Sequence, residues 1–283
     1  MLILAPLRGV TVRVFRETFA AEISAAGFTE ALTPFIPAMK GYDPRRDREL
    51  AGGAAFSAFK VTPQFIGKDP EALREALKRI KEAGFDTADL NAGCPYPMVR
   101  NKGRGAGLLG TPEVLRRMLS VGCEILGEGK FSLKTRLGLE SPDELEKLLP
   151  LIEEFPLRFL TIHVRTAREM YSGEPHYAAF ERIAAGTKLP LVLNGDLKLS
   201  EVKSAKRLMI GRGFIRSLGE REDSRELLAR YLEATAAELN SDHSVLGRLK
   251  ELLSYWQDLP FWHRRWEVLK LVRTLGELRQ LIK

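Results

Sequence analysis

The sequence predicts an α/β protein: a (β/α)8 TIM barrel followed by a C-terminal all-helical domain. Three observations carry that expectation. Eight short apolar runs alternate with longer amphipathic segments over the first 211 residues, the pattern of strands and helices that build a parallel sheet. Several of these runs end on a polar residue, as barrel strands do where their ends converge on one face. From about residue 221 the chain turns to unbroken 3.6-residue periodicity with no strand between segments. A length of 283 residues accommodates one large α/β domain and a smaller appendage.

Taken in order, strands are expected at 2–5 (LILA), 29–33, 61–65, 86–91 (DTADLN), 131–135 (FSLKT), 159–163 (FLTIH), 190–194 (PLVLN) and 207–211 (RLMIG). Residues 34–60 read as an irregular insertion containing "GYDPRRDREL" and "AGGAAF". Asp69 and Pro70 are an N-cap and first-turn pair for a helix over 69–83, and Thr111-Pro112 and Ser141-Pro142 open two more helices in the same way. The polar strand ends are Gln64, Asn91, Lys134, His163 and Asn194. Each alone is a loop cap; five together point to a site at the barrel mouth. The domain boundary falls at 218/219, with a catalytic barrel over 1–218 and a helical domain over 219–283. The helical part is expected to pack on Leu249, Leu252, Leu253, Trp256 and Trp266. Its "WHRRW" at 262–266 reads as a helix end covered by long side chains, with an RNA-facing surface as the alternative.

Composition narrows the function classes. With 45% hydrophobic and 29% charged residues, the chain is neither disordered nor a fibrous array. No apolar run reaches the roughly 20 residues of a membrane span, and "MLILAPLRGV" lacks the basic start of a secretory signal. Two cysteines make neither a disulfide framework nor a cysteine-only zinc site. A reducing, cytoplasmic setting follows as the expectation. Residues 219–283 balance 11 Lys/Arg against 11 Asp/Glu, so the whole net charge of +7 resides in residues 1–218. Eight Lys/Arg and three Asp/Glu fall between Cys94 and Arg136, a local excess that suits a polyanionic partner.

That excess surrounds "LNAGCPYPMVRNKGRGAG", where a cysteine follows the fourth strand directly. Cys123, four and eight residues after Leu119 and Leu115, is expected in the core. Cys94 has three readings: a buried hydrophobe, a metal or redox ligand, or a group that attacks substrate or moves a proton. Its polar, glycine-rich loop argues against burial, and none of the four histidines has ligand spacing to it, so no metal is expected. A thiol with an ordinary pKa near 8.5 is mostly protonated at neutral pH, which suits proton donation. After the seventh and eighth strands stand "NGD" (194–196) and "IGRG" (210–213). Glycine lets backbone amides approach an anion closely, and these two loops are the usual phosphate cradle of such barrels. Lys134 is placed to neutralise a phosphate-bearing cofactor.

Together, "LNAGCPYPMVRNKGRGAGLL", "HVRTAREMYSGEPHY", "NGD" and "MIGRG" resemble the tRNA-dihydrouridine synthase family over about residues 2–215, with "LAPLRGVTVRVFR" and "TPQFIGKDP" also fitting. The resemblance implies an FMN-binding barrel with a helical RNA-binding domain. It implies hydride transfer from reduced FMN to C6 of a tRNA uridine and proton donation from Cys94 to C5, with NADPH re-reducing the flavin. Pro6, Leu7 and Arg8 would lie beside the flavin, and Gln64, Asn91, Lys134 and His163 would contact its ring or chain. Asn194, Gly195, Asp196, Gly211 and Arg212 would bind its ribityl and phosphate end. A base flipped out of folded RNA needs a cationic rim, for which Arg100, Lys102, Arg104, Arg165 and Arg168 are candidates, with Tyr171 shaping the pocket. Departures from the family pattern are Leu7-Arg8, Tyr96-Pro97-Met98, Val164 and Phe214-Ile215-Arg216-Ser217. Two other readings are an FMN reductase of free pyrimidines and a non-catalytic RNA-binding protein on the same fold.

Overall fold

Apolar runs such as LIL and ADLNA become strands buried on both faces, because helices cover a parallel barrel outside and side chains fill it inside. The computed structural model describes residues 1–51, 58–201 and 207–282. Its elements are β1 (Leu2–Leu4), α1 (Arg13–Thr18), α2 (Ala20–Ala25), β2 (Glu30–Leu32), β3 (Ile36–Pro37), β4 (Lys60–Thr62) and β5 (Gln64–Ile66). They continue as α3 (Pro70–Glu82), β6 (Ala88–Ala92), α4 (Pro97–Arg100), α5 (Pro112–Leu126), β7 (Phe131–Arg136), α6 (Glu144–Ile152) and β8 (Leu160–His163). Then come α7 (Tyr177–Gly186), β9 (Leu191–Asn194), β10 (Leu208–Ile210) and α8 (Arg212–Gly219). The last four are α9 (Ser224–Glu238), α10 (Asp242–Ser254), α11 (Pro260–Leu269) and α12 (Leu275–Ile282).

All pairings are parallel, in the order β3-β5-β6-β7-β8-β9-β10-β1-β2-β4. The expected third strand is split into β4 and β5 by Pro63, which has no N–H to give a ladder. β4 pairs with β2 and β5 pairs with β6, so the break itself closes the ring into eight strands. Pro63 O accepts the Asp89 N–H at 2.9 Å, and Gln64 N–H donates to Thr33 Oγ1 at 3.0 Å. Two expectations change here. Gln64 starts β5 rather than ending a strand, which sets it below the mouth. The irregular insertion holds a short strand, β3, beside β5; of "AGGAAF" only Ala51 lies within the described residues.

The helix starts are of two kinds. Asp69 caps α3 by accepting from Glu71 N and Ala72 N, as its sequence requires. α5 begins at Pro112, but the Thr111 side chain makes no cap. α6 begins at Glu144 rather than after Ser141. The Glu144 carboxylate gathers the amides of Leu139, Glu140 and Ser141 at 2.6, 3.1 and 2.8 Å, and so holds that turn outside the helix. Cys123 is half-buried against the core rather than inside it. Positions four and eight residues on from Leu115 drift about 40° per step around the helix.

Ile3, Leu32, Phe159, Val192 and Met209 form an apolar cluster of their own, contributed by alternate positions that face the barrel interior. Lower in the barrel, Arg158 makes a two-pronged pairing with Glu30 at 2.6 and 2.7 Å, and Thr62 Oγ1 donates to Glu30 at 2.5 Å.

The helical C-terminal region shares a core with the barrel. Phe15 of α1 and Phe19, between α1 and α2, pack on Tyr231 of α9 with centroids 5.8 and 5.4 Å away. Trp256 Nε1–H donates to Ile215 O at 2.7 Å. Arg13 pairs with Glu238 at 2.7 Å. Leu249, Leu252, Leu253 and Trp256 are buried as expected, while Trp266 is half-buried. In "WHRRW", Trp262 is buried and His263, Arg264 and Arg265 are exposed.

Candidate active site

Register assembles the site. Parallel pairing sets Asn91 beside Lys134, Arg136 beside His163, and His163 beside Asn194. All five side chains line one cavity of about 370 Å³ at the upper ends of β6 to β9. Pro6, Leu7 and Arg8 after β1, Phe35 after β2, Cys94 and Tyr96 after β6, Tyr171 after β8, and Gly211 and Arg212 at the start of α8 extend the lining. Glu251, Ser254 and Tyr255 at the end of α10 supply a further wall. The cavity thus has four basic side chains (Arg8, Lys134, Arg136, Arg212) and one carboxylate, at the face where barrel ligands bind.

Cys94 is only 8% exposed, contrary to the expectation from its polar loop, yet it lines the cavity. Its N–H and that of Gly93 donate to Asn91 Oδ1 at 2.9 and 3.1 Å. Its carbonyl accepts from Ala106 N at 3.0 Å. Gly105, at φ +56°, passes so close that a Cβ there would sit 2.8 Å from Cys94 Cβ. The "GRGAG" segment is glycine-rich because it folds back underneath the cysteine. Burial pushes the Cys94 thiol up, against the smaller pull of Tyr96 N–H, Arg136, Arg8 and Lys134. The group is therefore a neutral thiol at neutral pH.

Lys134 is pushed down to about 8, first by burial and then by Arg136, with Asp89 and Cys94 opposing. His163 falls well below the ordinary imidazole value through burial and the neighbouring Arg136, Lys134, Arg165 and Arg212; its ring is neutral. His163 Nδ1 is buried and has no hydrogen-bond partner among the described residues. Arg136 donates to the carbonyls of Gly93 (2.9 Å), Thr166 (2.9 Å) and Met170 (2.6 Å). Tyr171 lies between two guanidinium groups, with Arg136 and Arg212 at 5.2 and 5.1 Å from its ring centre.

Of the residues expected at a cofactor, Pro6, Leu7, Arg8, Asn91, Lys134, His163, Asn194, Gly211 and Arg212 line the cavity, as Cys94 does. Gln64, Gly195 and Asp196 stand behind it. Gln64 is wholly buried between Asp89 and Asn91. Gly195 O accepts from Tyr177 OH at 2.9 Å, and Asp196, in the left-handed region at φ 47°, pairs with Arg165 and Arg212.

Among the rim candidates, Lys102, Arg104 and Arg168 are exposed and Arg100 is half-buried. Arg165 is not on the rim. Its side chain is 3% exposed and donates to Gly173 O at 2.8 and 3.0 Å, so its charge holds the loop after β8 and is not offered to solvent. Arg136, Phe35, Tyr96, Glu251, Ser254 and Tyr255 were not expected from sequence. Only Arg136 had a visible signal, two residues past Lys134 on the same strand face.

A parallel barrel whose upper end carries a neutral thiol and, among the described residues, an ammonium without an ion pair beside one cavity has the architecture of an α/β-barrel enzyme. More specifically, the chain belongs to the dihydrouridine synthase family, whose model, described as Dihydrouridine synthase (Dus), matches residues 3–217. It is 29% identical to the tRNA-dihydrouridine(16) synthase of Cupriavidus necator, covering 90% of this chain and 87% of that one. To the tRNA-dihydrouridine(16) synthase of Ralstonia nicotianae it is 28% identical over 99% and 94% of the two chains. Among solved structures, the old yellow enzyme homologue from Zymomonas mobilis superposes with a TM-score of 0.56 over 76% of this chain and 85% of that one, at 14% identity. That is a likeness of fold.

Proposed function

We propose that this protein is a flavin-dependent tRNA-dihydrouridine synthase of the cytoplasm, with FMN as resident cofactor and NADPH as its reductant. The carrying observation is the neutral Cys94 thiol held at the edge of a cationic cavity in a chain of this family. The residues fit a phosphorylated, electron-accepting ring. His163 Nδ1 is buried without a partner among the described residues, and Lys134 forms no ion pair among them although it is charged below about pH 8. Lys134, His163, Asn91 and the Pro6–Arg8 turn would hold the ring, and Asn194, Gly211 and Arg212 the chain and phosphate, at the N-terminus of α8 where an anion is favoured.

A reduced flavin held by these residues would supply the hydride that uracil C6 receives. Cys94 Sγ–H gives its proton to C5, which becomes basic as the double bond is lost. Burial keeps that proton on sulfur until it is needed. Arg136 and Tyr171 bound the space for the base, and the tie between Arg136 and the carbonyls of Thr166 and Met170 sets the height of the loop above it. The exposed Lys102, Arg104 and Arg168, with Arg100, engage RNA phosphates while the uridine is flipped out of its stack.

Cys94→Ala tests this reading. Dihydrouridine formation on unmodified tRNA is expected to fall by about 10²–10⁴-fold, the usual contribution of a positioned acid, while FMN absorbance in the purified protein is retained. Protein that neither carries nor takes up FMN sinks the proposal, as does equal activity in the variant. Turnover of free uracil comparable to that of tRNA would favour a pyrimidine reductase instead.

A further inference from the structure

We propose that Asp89 is a positioning residue that fixes Cys94 through a polarised chain of two side-chain amides, Gln64 and Asn91. Asp89 is wholly buried in the barrel interior and does not line the cavity. One of its oxygens accepts Ser132 Oγ–H at 2.6 Å and the other accepts Gln64 Nε2–H at 2.8 Å. Gln64 Oε1 then accepts Asn91 Nδ2–H at 2.8 Å. Asn91 Oδ1, so oriented, accepts the backbone N–H groups of Gly93 and Cys94. Register supports the alignment, since Gln64 and Ser132 flank Asp89 on the neighbouring strands.

The direction of this chain is fixed at both ends, by the Gly93 and Cys94 N–H groups, which can only donate, and by the Asp89 carboxylate. Burial pushes the Asp89 carboxyl up to about 6, with Ser132, Gln64 and Lys134 opposing, so it is ionised at neutral pH and can only accept. Gln64 must therefore turn its nitrogen toward Asp89 and its oxygen toward Asn91. Asn91 must answer with its nitrogen, which leaves its oxygen for the cysteine loop. Turning either amide over would set two donors or two acceptors face to face in a buried site, which costs more than a missing bond in water. A carboxylate that never meets substrate thereby sets the position of the thiol that does. The catalytic meaning of this chain rests on the proposed function; its geometry does not.

Flavin-free protein in a Cys123→Ala background leaves Cys94 as the sole thiol. The readouts are its alkylation rate with iodoacetamide and the exchange protection of the Gly93 and Cys94 amides. Asp89→Leu and, separately, Gln64→Met, whose new side chains neither donate nor accept, are each expected to change the alkylation rate by about tenfold and to lose that protection, as a broken buried hydrogen bond should. The double variant Asp89→Asn/Gln64→Glu restores every donor–acceptor match with the charge moved one residue along, and is expected to return both readouts most of the way to the parent. In the loaded enzyme the two single variants lower kcat and leave KM for tRNA unchanged. The proposal is overturned if a folded single variant alkylates within about twofold of the parent, or if the double variant is no nearer the parent than Gln64→Met. Alkylation reads the chain of bonds whether or not the protein reduces uridine, so failure here and failure of the proposed activity are separate results.

Discussion

Lys134 shows how a side chain at the site acts on stability as well as on binding. Its folded pKa of about 8 lies below the ordinary 10.5. Between those values the unfolded chain holds a proton that the native protein has shed, so this group makes stability rise with pH across that window. Below about pH 8 both states are charged and the cost of the half-buried ammonium is felt in full only by the native state. Lys134→Met is therefore expected to raise the Tm of the flavin-free protein at pH 7, to flatten its rise in stability between pH 8 and 10, and to weaken FMN binding. Thermal melts and a fluorescence titration check all three. A Tm that falls at pH 7 would contradict the burial argument. Cys94, Asn91, Lys134 and His163 were legible in the sequence because polar residues at the ends of apolar runs break a pattern. Asp89 and Gln64 were not legible as partners, because nothing in a run such as DTADLN says which polar residue faces inward across a given register. Glu251, Ser254 and Tyr255 had no signal, since one face of an amphipathic helix looks the same wherever it docks.

Elements explain why the cysteine loop tolerates so little change. The turn from Cys94 to Gly107 doubles back on itself, and its return leg at Gly105 takes a positive φ against the Cys94 side chain. Gly105→Ala would add both left-handed strain and a contact of 2.8 Å, a combination that costs about 1–3 kcal/mol. The expected result is lower activity with FMN retained, since Gly105 displaces Cys94 and not the flavin-facing strand ends. Activity within about twofold of the parent would show that the loop can relax. The eight barrel strands followed from periodicity, but the division of the third and the short β3 beside it did not. A proline inside an apolar run was read through, although its missing donor is the physical reason the strand changes partners there. At α6 the sequence offered Ser141 as a cap, and a carboxylate three residues later took over the amides.

At the scale of the whole molecule, the barrel and the C-terminal helices share one core rather than touching across a wet interface. The three tryptophans, Trp256, Trp262 and Trp266, all lie after residue 219, so their fluorescence reports the helical region while far-UV circular dichroism averages over both parts. If the core is continuous, the two signals should follow one denaturant transition. Trp256→Ala, which empties the space beside Ile215 and Trp262, is expected to cost about 3–5 kcal/mol and to move both signals together. Fluorescence that melts well ahead of the dichroism would mean the helices fold as a separate unit. The split at Pro63 has a larger consequence. Because the hoop is joined within a strand and not between two, slippage of β4 along β2 must carry β5 along β6 by the same step. A one-residue slip reverses which side chains point inward, and here it would do so on both sides of the joint at once. The proline acts as a keystone, locking the polar row beneath the thiol to the far side of the ring.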